Sequence, residues 1–321
     1  MSLASRRIAF VFPGQGAQKV GMGRAWAAAV PEARAAFAEA DAALGFPLSR
    51  LCWEGPEEEL GLTENTQPAL VATSIAIHRS LSVLAPELAP VAMAGHSLGE
   101  YSALVAAGAL GFADALRLVR RRGQLMQEAV PVGVGAMAAI IGMDPEAIAG
   151  VASDAATAEE VCAVANLNGP AQTVLAGHKG AIDRAVALAR ERGARKATLL
   201  AVSAPFHSPL MRPAREGLAP MLAATPFHEP RVPVVSNVDA VPVTSGDAAR
   251  EALVRQVDSP VRWVESVQWM EDVAGVQTFV EVGPGNVLTG LTRRIVHGDR
   301  GTRTTAVSDP DHLRQLLAEE D

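Results

Sequence analysis

Gly95-His96-Ser97-Leu98-Gly99 is the stretch with the most pointed chemical content in the sequence. It fits G-x-S-x-G, in which a strand turns sharply into a helix with serine at the apex. Such a bend lifts the hydroxyl above the sheet, over a helix N-terminus that favours negative charge. The N–H of Leu98, the residue after the serine, is a natural donor to an oxyanion, and a second donor is expected from another strand-end loop. An ordinary glycine-bracketed turn is the competing reading, because a serine hydroxyl reacts only with a base to activate it.

Seven histidines could supply that base. His78 lies in a helical pattern beside Arg79 and reads as a surface residue. His178 falls in a turn, and His297 and His312 in the polar C-terminal part. His96 adjoins Ser97, and successive side chains through such a bend diverge, so it is poorly placed as a base. His228 sits in a loop between Phe227 and Glu229. His207 lies in Ser203-Ala204-Pro205-Phe206-His207-Ser208-Pro209, a proline-bracketed loop just past an apolar strand, where α/β folds carry their active groups. His207 is better placed and His228 stays open. No acid near His207 stands out as a third triad member.

Arg122 has an unusual setting. Ala115, Leu118, Val119, Arg122 and Met126 share one helical face, so the guanidinium interrupts an apolar stripe while Arg120 and Arg121 point elsewhere. A charge drawn into such a stripe needs a carboxylate partner. That partner is an internal acid, a ligand, or none at all if the side chain reaches back to water.

The elements that position these residues alternate between strand and helix. Residues 8–12 read as a buried strand ending in Pro13-Gly14-Gln15-Gly16. Helices are expected over 21–30, 31–44 and 67–85, then a strand over 91–94, the serine bend, and a helix to about 109. Later strands are expected over 232–235 and 278–282. This order predicts a mostly parallel sheet with helices on both faces. Residues 136–202 have a different rhythm: strand 136–143, helix 145–154, strand 161–166, strand 173–176, helix 179–192 and strand 197–202. That β-α-β-β-α-β order reads as a ferredoxin-like subdomain inserted into the larger one.

Composition narrows the function classes. The chain has 321 residues with 49% hydrophobic and 20% charged, which excludes extensive disorder. Aromatics make up only 4%, so the core is aliphatic. A net charge of −7 argues against a nucleic-acid binder. Two cysteines, Cys52 and Cys162, make neither a disulfide framework nor a metal cluster. Residues 1–7 are basic, but the apolar stretch 8–12 is too short for a signal peptide. The apolar run 104–118 is broken by Asp114 and glycines, so no membrane span is expected and a cytoplasmic protein is.

Phe12-Pro13-Gly14-Gln15-Gly16-Ala17-Gln18, Gly95-His96-Ser97-Leu98-Gly99-Glu100-Tyr101 and Ala204-Pro205-Phe206-His207-Ser208 resemble the signatures of malonyl-CoA:acyl-carrier-protein transacylases. These act in bacterial fatty-acid synthesis and are related to polyketide synthase acyltransferase domains. Arg121-Arg122-Gly123-Gln124-Leu125-Met126-Gln127 and Val282-Gly283-Pro284-Gly285-Asn286-Val287-Leu288 agree, so the resemblance spans nearly the whole chain. It implies an α/β-hydrolase-like large domain, 1–130 with 203–321, carrying the ferredoxin-like insert 131–202. Ser97 would be the nucleophile and His207 its base, the imidazole being oriented by a polar or main-chain acceptor in place of a carboxylate. Gln256 would support the dyad, and Gln15 would give the second oxyanion donor beside Leu98.

The resemblance also assigns Arg122 a ligand, the free carboxylate of a malonyl group, held through a bidentate pair. Met126 would line the pocket, and Phe206 would narrow it in favour of malonyl over methylmalonyl. Asn166, Asn168 and Gln172 are expected on the insert's side of the cleft. No metal or resident cofactor is implied, since the CoA thioester is a substrate and the phosphopantetheine belongs to the carrier protein. Partners would be malonyl-CoA and acyl carrier protein, with neither nucleic acid nor membrane, and the enzyme would be a monomer. An acidic carrier needs a local basic patch, for which Arg192, Arg195 and Lys196, or Arg293 and Arg294, are candidates. The alternatives are a serine thioesterase or hydrolase with water as acceptor, a silent binding module, and a discrete acyltransferase serving a polyketide synthase in trans.

Overall fold

The computed structural model describes residues 6–202 and 204–318; residues 1–5 of the basic stretch and Ser203 of the His207 loop lie outside it. Its strands, in chain order, are β1 (Ile8–Phe12), β2 (Pro90–Gly95), β3 (Gly135–Ile141), β4 (Cys162–Gly169), β5 (Gln172–His178), β6 (Lys196–Leu199), β7 (Val234–Val235), β8 (Pro242–Val243), β9 (Thr278–Val282) and β10 (Arg303–Val307). Six of them form one sheet in the order β10-β9-β1-β2-β7-β8. Every pairing in it is parallel except that of β7 with β8.

β1 lies in the middle of this sheet and is buried at every position. Ile8, Phe10 and Phe12 point into one hydrophobic core, while Ala9 and Val11 point into another on the opposite face. A strand covered on both faces has no polar alternation, which is why IAFVF reads as an unbroken apolar run. Phe12 lies opposite Gly95, so the loops leaving β1 and β2 emerge side by side at the carboxyl edge of the sheet. Open α/β sheets bind their ligands at this edge.

The other four strands form a sheet of order β4-β5-β3-β6, with antiparallel pairing throughout. Its two sides are occupied differently. Ala138, Ile140 and Leu175 pack under the helices Pro145–Ala155 and Lys179–Glu191, while Met137, Val174 and Ala176 join the main core. Two main-chain hydrogen bonds, Leu167 N–H to Val261 O and Val261 N–H to Ala165 O (both 2.9 Å), tie β4 to the chain ahead of the helix Trp263–Asp272.

Several element ends differ from expectation. The helix expected over 21–30 is Arg24–Ala29, because Gly21 and Gly23 adopt positive φ (93° and 75°). The helix expected from 67 begins a turn earlier, at Thr63, and runs through Pro68. The helix after the bend ends at Ala106 and not at 109, stopped by Gly108 at φ 76°. β4 runs on to Gly169 with irregular register, and β6 ends at Leu199, short of the expected 202. His78 is not a surface residue: its half-buried ring packs against Phe10 and Phe12. No described helix is long and apolar enough to cross a membrane.

Candidate active site

The bend after β2 is fixed by its glycines. A Cβ on Gly95 would lie 1.9 Å from the Gly99 carbonyl, and one on Gly99 would lie 2.0 Å from the Phe12 carbonyl oxygen. Between them Ser97 takes φ 51°, and His207 across the cleft takes φ 58°. Left-handed backbone costs a non-glycine residue about 1 kcal/mol or more and persists only where its surroundings hold it. For Ser97 the holding groups are visible. Its N–H donates to Asn237 Oδ1 (2.6 Å), and its carbonyl accepts from Gln256 Nε2 (2.8 Å).

Ser97 Oγ lies 2.7 Å from His207 Nε2. His207 Nδ1 lies 2.9 Å from the main-chain oxygen of Gln256. A carbonyl can only accept, so Nδ1 carries the ring proton and the Nε2 lone pair faces the serine hydroxyl. Burial, reinforced by the nearby charge of Arg122, lowers the His207 pKa to about 3. The imidazole is therefore neutral and ready to accept a proton at neutral pH.

Arg122 is 2% exposed on the helix Phe112–Glu128, and its stripe neighbours Ala115, Leu118, Val119 and Met126 are buried with it. Its donors go to Gln67 Oε1 (2.9 Å), Gln256 Oε1 (2.9 Å) and Ser97 Oγ (3.1 Å). Among the described residues no carboxylate lies within salt-bridge distance of it, and its Nε has no partner. Burial pulls the Arg122 pKa down while Tyr101 and Glu100 support the charge. A buried cation beside a serine hydroxyl and lacking its own anion could pair with an anionic ligand.

The cleft over Ser97 is lined on one side by Gln15, Leu98, Met126, Phe206 and His207, and on the other by Met137, Asn166, Asn168 and Val174 of the small sheet. Neither the Leu98 nor the Gln15 main-chain N–H has a hydrogen-bond acceptor among the described residues. Gln256, fully buried, lies behind the dyad and is not a solvated helical residue. Gln172 does not line the cleft; it accepts from Arg294 Nη1 (3.2 Å) at the end of the small sheet. His228 is exposed in its loop, so the choice between the two loop histidines falls to His207.

Four residues of the site escaped sequence reasoning. His96, set aside as a base, still lines the cleft, with Nε2 2.7 Å from Asn168 Oδ1 and its ring against Trp263. Gln67, Asn237 and Glu100 hold Arg122, Ser97 and Gln256 in place. The signal available for Glu100 was the one charged residue of a short helix, Gly99–Ala106. Gln67 and Asn237 carry no such mark.

A family model described as the acyl transferase domain matches residues 9–313. The chain belongs to the acyl transferase domain family. Among its relatives, the malonyl CoA-acyl carrier protein transacylase of Escherichia coli K12 is 54% identical over 311 residues, 97% of this chain and 99% of that one. The crystal structure of an acyl carrier protein S-malonyltransferase from Vibrio cholerae superposes with a TM-score of 0.93 at 48% identity, covering 97% and 99% of the two chains. A malonyl-transacylase solved in complex with a type II polyketide synthase acyl-carrier protein superposes at 0.92 with 48% identity, covering 98% and 99%. These members match the chain over essentially their whole length, so the mixed α/β fold with its largely parallel sheet is that of the family.

Proposed function

We infer that this enzyme is a malonyl-CoA:acyl-carrier-protein transacylase of fatty-acid biosynthesis, working through a malonyl-serine intermediate. The observation that carries the reading is the buried guanidinium of Arg122, 3.1 Å from the Ser97 hydroxyl and without a carboxylate partner. A thioesterase for neutral acyl groups has no use for such a cation. A substrate with one thioester end and one carboxylate end satisfies both groups at once.

In this reading Ser97 Oγ attacks the thioester carbonyl while His207 Nε2 takes the hydroxyl proton. The tetrahedral oxyanion meets the N–H groups of Leu98 and Gln15. Collapse breaks the C–S bond, and His207 returns the proton to the departing CoA sulfur. The phosphopantetheine thiol of the carrier then attacks the malonyl ester, giving its proton to His207, and the proton passes back to Ser97 as the C–O bond breaks. The Gln256 carbonyl stabilises the imidazolium formed in each half. Phe206 and Met126 narrow the acyl pocket, and Asn166 and Asn168 bound it on the opposite side.

The strand order β4-β5-β3-β6, with helices on one side, supports a ferredoxin-like unit spanning 131–202, inserted into an α/β-hydrolase-like domain made of 1–130 and 203–321. The cleft lies between the two, and the active unit is a monomer. Incubation with labelled malonyl-CoA alone is expected to label Ser97, and the label should pass to added acyl carrier protein. Retention of label in Ser97→Ala rejects the nucleophile. Release as free malonate, without transfer, establishes the hydrolase reading instead.

A further inference from the structure

The Ser97 main chain is gripped from both sides, and the two gripping side chains meet at one atom. Asn237 Oδ1 takes the Ser97 N–H, and Gln256 Nε2 reaches the Ser97 carbonyl. Glu100 Oε2 accepts from both of them, from the Asn237 main-chain N–H (3.1 Å) and from Gln256 Nε2 (2.8 Å). Asn237 Nδ2 also donates to Gly95 O (2.7 Å), so the strand end before the bend hangs from the same group. Glu100 is 1% exposed and does not line the cleft, so it meets neither acyl group nor thiol.

The amide of Gln256 has two possible orientations, and only one serves the site. With Nε2 toward Glu100 and Ser97 O, Oε1 is left for Arg122 Nη2. The reversed amide would set NH2 against the guanidinium and oxygen against two acceptors. An acceptor at Glu100 Oε2 selects the first orientation. It also anchors the residue whose carbonyl orients His207. Burial raises the Glu100 pKa to about 7, with Gln256, Asn237 and the charge of Arg122 pulling the other way. Oε2 accepts both hydrogen bonds whether or not a proton sits on the other oxygen.

We propose that Glu100 is a positioning residue for acyl transfer: through one buried oxygen it locks Asn237 and the Gln256 amide, which hold Ser97 in its left-handed bend. The inference rests on the transacylase reading above. It requires an acceptor at this place rather than a charge, and that separates the variants.

The test is the single-turnover rate of Ser97 acylation by malonyl-CoA, normalised to the fraction of enzyme whose serine can be titrated. Glu100→Gln keeps an oxygen where Oε2 stands, and should acylate within a few-fold of wild type. Glu100→Met, of similar length without an acceptor, should lose on the order of 100-fold in rate, the scale of a misplaced reacting group. The KM for malonyl-CoA should change little, because Gln67 still holds Arg122. Should Glu100→Met not fold, Glu100→Ala carries the same expectation. Acylation by Glu100→Met or Glu100→Ala at the wild-type rate overturns the role of Glu100. A fall in Glu100→Gln as deep as that of the apolar variant does so too. Failure of wild type to label at Ser97 overturns the transacylase reading itself, and this inference with it.

Discussion

In the proposed function, single side chains decide which acyl group is carried and when the serine is reactive. Removing the guanidinium in Arg122→Ala should lower malonyl labelling of Ser97 by about 1.5–3 kcal/mol of transition-state binding, roughly 10–100-fold. Acetyl labelling should fall far less, so the ratio of the two rates is the measurement. Equal loss for both acyl groups would mean that Arg122 only supports the fold. The depressed pKa of His207, about 3, makes a second prediction. An unperturbed imidazole loses its base form as pH falls through 6.5. Here kcat/KM for malonyl-CoA should show no step at that pH, and a rate that halves near 6.5 would contradict the lowering of the His207 pKa by burial. A bend motif, a loop after a strand and a break in an apolar stripe are local patterns that made Ser97, His207 and Arg122 candidates, while the choice of His207 as base over His228 and the ligand for Arg122 came with the family resemblance. Asn237 and Gln67 were not legible, since each acts through a contact between segments 55–140 residues apart in the chain.

At the scale of elements, the bend depends on backbone-to-backbone approach that no side chain can share. Gly99→Ala and Gly95→Ala would drive a methyl into main-chain atoms about 2 Å away and should destabilise the protein by about 3 kcal/mol or more. Gly150→Ala is the counterpart. It lies exposed in the helix Pro145–Ala155, with open space about it, and should gain about 0.5–1 kcal/mol. Denaturant unfolding of these variants measures both signs. Strands β1 and β9 could be read to the residue because each is rich in β-formers and closed by a Pro-Gly or Gly-Pro pair. Element ends set by positive-φ glycines, such as Gly108, were missed, since composition does not say which glycine stops a helix. The two-residue strand β7 fills only the end of the run expected over 232–235, and β8, equally short, carries too little pattern to find.

Across the whole molecule, buried titratable groups couple stability to pH. His78 is held neutral by burial, its pKa lowered to about 4, and His207 likewise. As pH falls from 6.5 toward 4 the unfolded chain binds protons that the folded one refuses, so stability declines through that window. Glu100, raised to about 7, works the other way and favours the fold as pH drops from 7 to 4.5. Burial also lowers the His96 pKa and raises that of Glu281, so three histidines stand against two acids, and His78→Leu should flatten the acid side of a Tm-against-pH curve. The fold also merges two basic clusters that stand far apart in the chain. Lys196 lies opposite Ile141, Ile141 opposite Gln172, and Gln172 accepts from Arg294. Arg192 is already paired with Asp154. Lys196→Glu with Arg294→Glu should raise the KM for acyl carrier protein several-fold and leave labelling by malonyl-CoA untouched; an unchanged KM would put docking elsewhere. One last property belongs to the chain as a whole. Both sulfhydryls, Cys52 and Cys162, are buried and pushed up to about 12 and 11 by desolvation. Neither forms a thiolate that could compete for the acyl group. A malonyl adduct isolated from this protein should therefore survive neutral hydroxylamine, which strips thioesters quickly and oxygen esters slowly, and iodoacetamide should leave turnover intact.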